Sequence, residues 1–154
     1  MSHILDLNVV GSSNLGIRDE VINAKHDLRD DTKPEDIVIN GKPEPVKISI
    51  EVSAERRIEF IFAGKEIVVR KLIIDEQFYD LAESYKTSIE VYAAAIRKDS
   101  PEAIKKANAQ RRELHNTGAR LLAEHLRPEI VLSHDASRIL FNLATHALAT
   151  HALN

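Results

Sequence analysis

The 154-residue chain carries 21 lysines and arginines against 24 aspartates and glutamates, a net charge of −3. Acids outnumber bases in both halves, which leaves no basic footprint for nucleic acid or an anionic membrane. There is no cysteine, which excludes disulfides, thiolate catalysis and cysteine-based zinc or iron–sulfur sites.

With 44% hydrophobic and 29% charged residues, the composition is that of one globular domain, 1–154. The opening MSHILDLNVV has neither the basic region nor the long apolar stretch of a secretory signal, and no run approaches the ~18 apolar residues that span a bilayer. The expectation is a cytoplasmic protein with no membrane partner.

ILDLNVV reads as a short strand or an N-terminal arm. Ile17, Val21, Ala24 and Leu28 then step by four and three, one face of a helix. RDDTKPED ends it as a solvated loop. DIVINGKPEP gives a short apolar run and an Asn-Gly hairpin signal, although Pro43 and Pro45 make the next stretch a poor central strand. In VKISIEV, Val46, Ile48, Ile50 and Val52 alternate with polar residues, the pattern of a strand with one wet face. SAERR turns the chain into IEFIF, and AGK turns it into EIVVRKLII.

From Asp75 the period is helical: Phe78, Ala82, Tyr85, Ile89, Tyr92 and Ile96. DSP stops this helix and starts the next, with Ser100 as N-cap and Pro101 at the first helical position. Ile104, Ala107, Arg111, Leu114, Gly118, Leu121 and His125 continue the step. RPEIVLS breaks it, and Ser133 or Asp135 caps a last helix that is apolar over a wide arc. The expected fold is α+β: an antiparallel β-meander of three to four strands, an N-terminal helix, and a C-terminal three-helix region covering one face. Residues 1–74 hold the first helix and the meander; residues 75–154 hold a helical hairpin and the final helix.

The short turn makes the hairpin antiparallel. A register centred on residues 99–101 sets Ile89 against Arg111, Tyr85 against Leu114, and Ala82 against Gly118. A mid-helix glycine costs ~1 kcal/mol relative to alanine, which close helix approach would offset; the alternative is that a ligand needs the space. Arg111 falls on an apolar stripe and needs a partner. Glu90, beside Ile89, supplies a carboxylate, so the structural reading is a Glu90–Arg111 ion pair.

His115 reads as a hydrogen-bonded boundary residue, with general base as the sharper alternative and Glu83 as its neighbour across the hairpin. No metal site is expected, because His146 and His151 are five apart and splay on a helix. Phosphate-binding glycine loops and a GxSxG serine elbow are absent, and no cofactor is implied.

The stretch IEVYAAAIRKDSPEAIKKANAQRRELHNTG resembles uncharacterised protein family 0262, small and mostly alphaproteobacterial proteins. The matching residues are Glu90, Tyr92, Ala95, Ile96, Arg97, Ser100, Pro101, Arg111, Arg112, Leu114, His115 and Asn116, and HDASRILFNLATHAL is similar to the family's last helix. The resemblance covers about the last 75 residues. It departs at RDEVINAKHDLRDD, where the family carries an acidic segment with a His-Glu-Arg run. It implies a bacterial cytosolic α+β protein without an assigned activity.

Function is therefore unknown from the sequence. The preferred expectation is a non-enzymatic structural or interaction module, a homodimer through Ile139, Leu140, Phe141, Leu143 and Leu148 of the last helix. The alternative is a protein or enzyme binding a small anion or phosphate ligand through Arg111, Arg112, His115 and Asn116, with Tyr85 or Tyr92. Nucleic-acid binding through Lys105, Lys106, Arg112 and Arg120 ranks last, since that face has no interleaved aromatics.

Overall fold

A computed structural model describes residues 4–9, 33–53 and 57–153. Three strands form the expected meander: β3 (Val46–Ser53), β4 (Arg57–Ala63) and β5 (Val68–Ile73), each antiparallel to the next. The alternation read in the sequence sets their faces. Val46, Ile48, Ile50, Ile58, Phe60, Phe62, Val69 and Ile73 are buried, while Lys47, Glu51, Arg70 and Leu72 face water. The N-terminal stretch is strand β1 (Ile4–Val9), which adds to β3 in parallel and gives the order β1-β3-β4-β5. A parallel neighbour needs a crossover rather than a hairpin. The helix expected over residues 17–28 lies outside the described residues.

The Asn-Gly turn forms, but the strand before it finds a partner other than the one a hairpin would supply. Asn40 and Gly41 both have positive φ, 48° and 80°, and Ile39 and Lys42 exchange two backbone hydrogen bonds. Pro43 and Pro45 have no N–H to donate, so the ladder stops there. Strand β2 (Ile37–Ile39) pairs instead with β6 (Ile130–Leu132), inside the RPEIVLS segment that reads only as a helix break. Asn40 N–H to the Glu129 carbonyl and Ser133 N–H to the Asp36 carbonyl extend this small antiparallel sheet at both ends.

Among the described residues the α-helices are α1 (Glu76–Lys98), α2 (Pro101–Leu126) and α3 (His134–Leu153). Their ends obey capping chemistry. The Asp75 carboxylate accepts the Gln77 N–H, Asp99 closes α1 in the left-handed region at φ 54°, and Ser100 Oγ accepts from Ala103. Ser133, rather than Asp135, caps α3, its hydroxyl accepting the Ala136 N–H at 3.1 Å. Contacts from His115 to Arg138 and from Gly118 to Phe141 step the same way along both helices, so α3 runs alongside α2 in the same direction. Residues 127–133, including β6, carry the chain back.

Helix α3 packs on β3 on one side and on both helices of the hairpin on the other. Leu140, Phe141, Leu143, Ala144 and Ala147 are fully buried by this arrangement, and Ile139 and Leu148 pack partly against the same core. The wide apolar arc that suggested a dimer contact is thus largely satisfied within one copy. The reason is positional: a central helix meets neighbours on several sides, and an apolar pattern alone does not say whether those neighbours belong to the same chain.

Tyr79, in the first turn of α1, fastens the helical half to the sheet. Its hydroxyl accepts the Ile58 N–H at 2.9 Å and donates to the Ile73 carbonyl at 2.7 Å. Those two residues face each other across β4 and β5. Replacing Tyr79 by Phe strips both buried backbone groups of their bridge and should cost about 1–3 kcal/mol. Urea unfolding would show it as a lowered midpoint at constant slope; an unchanged midpoint would mean that the strands close on each other without the phenol.

Candidate functional site

The site grows around one aromatic ring. Phe141 projects from α3 into the space beside Gly118 of α2, where any Cβ would overlap its ring atoms. Phe78 meets this ring edge-on, with centroids 5.7 Å apart, and Tyr85 lies tilted against it at 5.5 Å. The absent side chain at Gly118 is therefore explained by α3. The α1–α2 register alone had pointed to Ala82 or to a ligand.

One turn before Gly118, the His115 ring stacks on Tyr85 at 4.8 Å and 24°. Its Nε2 is 2.8 Å from the Arg138 carbonyl, and its Nδ1 is 3.3 Å from Arg138 Nη2. A guanidinium can only donate, so Nδ1 accepts and Nε2 carries the proton. Burial holds the imidazole neutral, with its pKa lowered to about 4. The charges of Arg138, Arg111 and His134 push the same way, while the Arg138 carbonyl opposes them. The partners of His115 are thus Tyr85 and Arg138, and Glu83 is exposed on α1.

Arg111 does not take Glu90 as its counter-ion. Its Nη2 donates to Asn108 Oδ1 at 2.8 Å, and its guanidinium carbon lies 5.0 Å from the centroid of the Tyr92 ring. Glu90 is exposed. The shift is one of register: Tyr92, rather than Ile89, stands beside Arg111, and this turns Glu90 outward. Stacking on an aromatic face suits a guanidinium well. Among the described residues, Arg111 and Arg138 have no carboxylate within ion-pair distance. Both Nε atoms, and Asn116 Oδ1, are buried without a hydrogen-bond partner. Arg112 is exposed.

The structure thus brings Arg111, His115, Tyr85 and Tyr92 together and leaves Arg112 at the surface. Arg138 escaped the sequence reading. The available signal was a cation within ASRILF, on a helix otherwise read for its apolar arc. His115 could serve as a base only by giving up Arg138, since both ring nitrogens are engaged. Two half-buried guanidiniums are better suited to holding an anion. Among the described residues, no group of three or more His, Cys, Asp or Glu could hold a metal.

Two further features lie outside this cluster. On the outer face of the hairpin, Ser84, Thr87, Ser88 and Val91 of α1 and Gln110, Glu113, Leu114 and Thr117 of α2 line a groove of about 420 Å³. At the far end of α2, His125 Nε2 meets Asp75 Oδ2 at 2.8 Å, and Glu129 pairs with Lys71. The His125 hydrogen bond, reinforced by the Gln77 N–H, holds the Asp75 carboxyl below the usual carboxylate range. These contacts tie the hairpin to the β5–α1 joint.

The model of an uncharacterised protein family, UPF0262, matches residues 1–150. The chain belongs to that family. The match extends the resemblance from the helical half to the strand region and across the N-terminal segment. The chain is 32% identical over 106 residues to a UPF0262 protein of Rhodospirillum rubrum, a stretch covering 68% of this chain and 66% of that one. For a UPF0262 protein of Caulobacter vibrioides the aligned stretch covers 62% of the relative. A UPF0262 protein of Dinoroseobacter shibae aligns more fully, 30% identical over 152 residues and 95% of its length. These relatives carry no assigned activity, and no solved structure matches.

Two measurements test this geometry. Gly118→Ala forces the Phe141 ring out of its place and should cost about 1–3 kcal/mol despite alanine's better helix propensity. Adding Phe141→Leu should recover part of that loss in the same unfolding assay; a neutral Gly118→Ala would remove Phe141 as the reason for the glycine. Acidification should also act through His115. The unfolded imidazole takes up a proton near pH 6.5 and the folded one near 4. Its contribution is therefore complete above about pH 6.5 and lost progressively down to about 4, by roughly 2–3 kcal/mol after allowance for nearby water. Replacing His115 by Phe should flatten that part of the stability–pH curve.

Proposed function

We propose that this UPF0262 protein is a non-enzymatic interaction module, one folding unit over 1–154, that works in the cytoplasm as a homodimer paired through strand β5. The observation that carries this reading is the edge of the main sheet. Val68, Leu72 and the adjoining Ile74 are exposed by 59%, 45% and 85%. β5 is the terminal strand, with no described strand on its other side.

The turn fixes which backbone groups are free. Gly64 N–H bonds the Ile67 carbonyl, so Val69, Lys71 and Ile73 bond β4 while Val68, Arg70 and Leu72 turn their N–H and C=O groups to the open edge. A row of backbone groups that no described strand pairs, flanked by apolar side chains, favours strand addition. A second copy suits this edge. Antiparallel pairing about a two-fold axis near Arg70–Lys71 sets Val68 of one copy against Leu72 or Ile74 of the other. Arg70 is already neutralised by Glu59 at 2.9 Å, so two copies of it can approach. The continuous core from Ile37 to Ala147 supports a single folding unit. His115, with both nitrogens occupied, supports a role other than catalysis.

Sedimentation of the full chain at micromolar concentrations should give a dimer. Leu72→Lys should give a folded monomer whose unfolding midpoint no longer depends on protein concentration, because the side chain sits at the surface. A wild-type chain that stays monomeric throughout, or a Leu72→Lys dimer, would overturn the β5 pairing.

A further inference from the structure

We propose that the meeting point of α1, α2 and α3 at Arg111, His115 and Arg138 binds a divalent oxyanion of the phosphate class, a phosphomonoester or inorganic phosphate. This goes beyond pairing through β5 and does not depend on it.

Lys71, which is partly enclosed, pairs with Glu129. Arg111 and Arg138 differ from it. Both are half-buried, on neighbouring helices, with no carboxylate within ion-pair distance among the described residues. Each has committed one Nη2, to Asn108 and to His115 Nδ1, and each keeps a buried Nε–H with no partner. A guanidinium drawn out of water without a counter-charge or a full set of acceptors is unfavourable. Two of them beside one imidazole form a place that a negative charge would complete.

Charge and geometry together select the ligand. Two guanidiniums carry two positive charges, which a dianion cancels and a monoanion does not. Their donors are held before any ligand arrives, Arg111 against Tyr92 and Arg138 against His115, so little ordering cost remains. His115, stacked on Tyr85 and neutral, contributes shape and position without competing charge. Arg112 is exposed, and Asn116 presents a buried acceptor oxygen, so neither belongs to the anion's first ring of contacts.

The test is a titration of ¹⁵N-histidine-labelled full chain at neutral pH with inorganic phosphate, with sodium chloride and acetate at matched ionic strength. The expected result is a saturable shift of the His115 ring resonances with phosphate, much weaker with acetate and chloride. Bound phosphate should also raise the His115 pKa from its low value, because a dianion offsets the arginine charges. Arg138→Met and Arg111→Met should each weaken the response by roughly tenfold or more, whereas Arg112→Met should leave it unchanged. No saturable response to phosphate in the wild-type chain overturns the site, whatever becomes of the variants. Equal binding of acetate overturns the dianion assignment, and retained binding in both Arg111 and Arg138 variants overturns the residues named.

Discussion

The contact on which the helical half depends is the Phe141 ring against the bare flank of Gly118. Three helices converge there. Phe78 and Tyr85 bring α1 to the ring, Gly118 brings α2, and Phe141 is itself the contribution of α3. Removing the side chain at position 118 costs helix propensity, and the aromatic contacts offset that cost. The depth of the notch sets how closely α2 and α3 run together. That closeness in turn delivers His115 to Arg138 one turn earlier along both helices.

A polar layer is built on top of this apolar one. His115 stacks on Tyr85, reaches Arg138, and stands one turn from Arg111. The residue types are those of a catalytic or binding site, but the geometry ranks the possibilities. A neutral imidazole with both nitrogens engaged is poorly placed to move protons. Guanidiniums with unspent donors are well placed to receive an oxyanion. The same neutral imidazole also helps keep two cations tolerable in a partly enclosed place, because it accepts from Arg138 rather than adding a third charge.

Much of the architecture was legible in the sequence, and for identifiable reasons. Alternation at Val46–Val52 and Ile58–Phe62 gave the wet and dry faces of the meander, the Asp75 boundary came from the onset of the helical period, and the Ser100 boundary came from capping chemistry. What escaped were relations between distant segments. Three residues of β2 carry too short a pattern to name a partner, so their pairing with β6 could not be read. Hairpin register was correct to within about one turn, enough to place Tyr85 near residue 115 but not to separate Ile89 from Tyr92 as the neighbour of Arg111. That small difference moved Glu90 from counter-ion to surface. Arg138 was invisible for a related reason: a cation among apolar residues has no meaning until the opposing helix is known.

The small β2–β6 sheet shapes the route by which the chain can fold. It joins residues 37–39 to residues 130–132 and so closes a loop containing the whole meander and the α1–α2 hairpin. Closing so long a loop is entropically slow and is rewarded by only a few backbone bonds. The hairpin and the meander, built from contacts between neighbours in sequence, are the segments able to form first. The clasp encloses both of those segments, and α3, which begins immediately after β6, packs between sheet and hairpin.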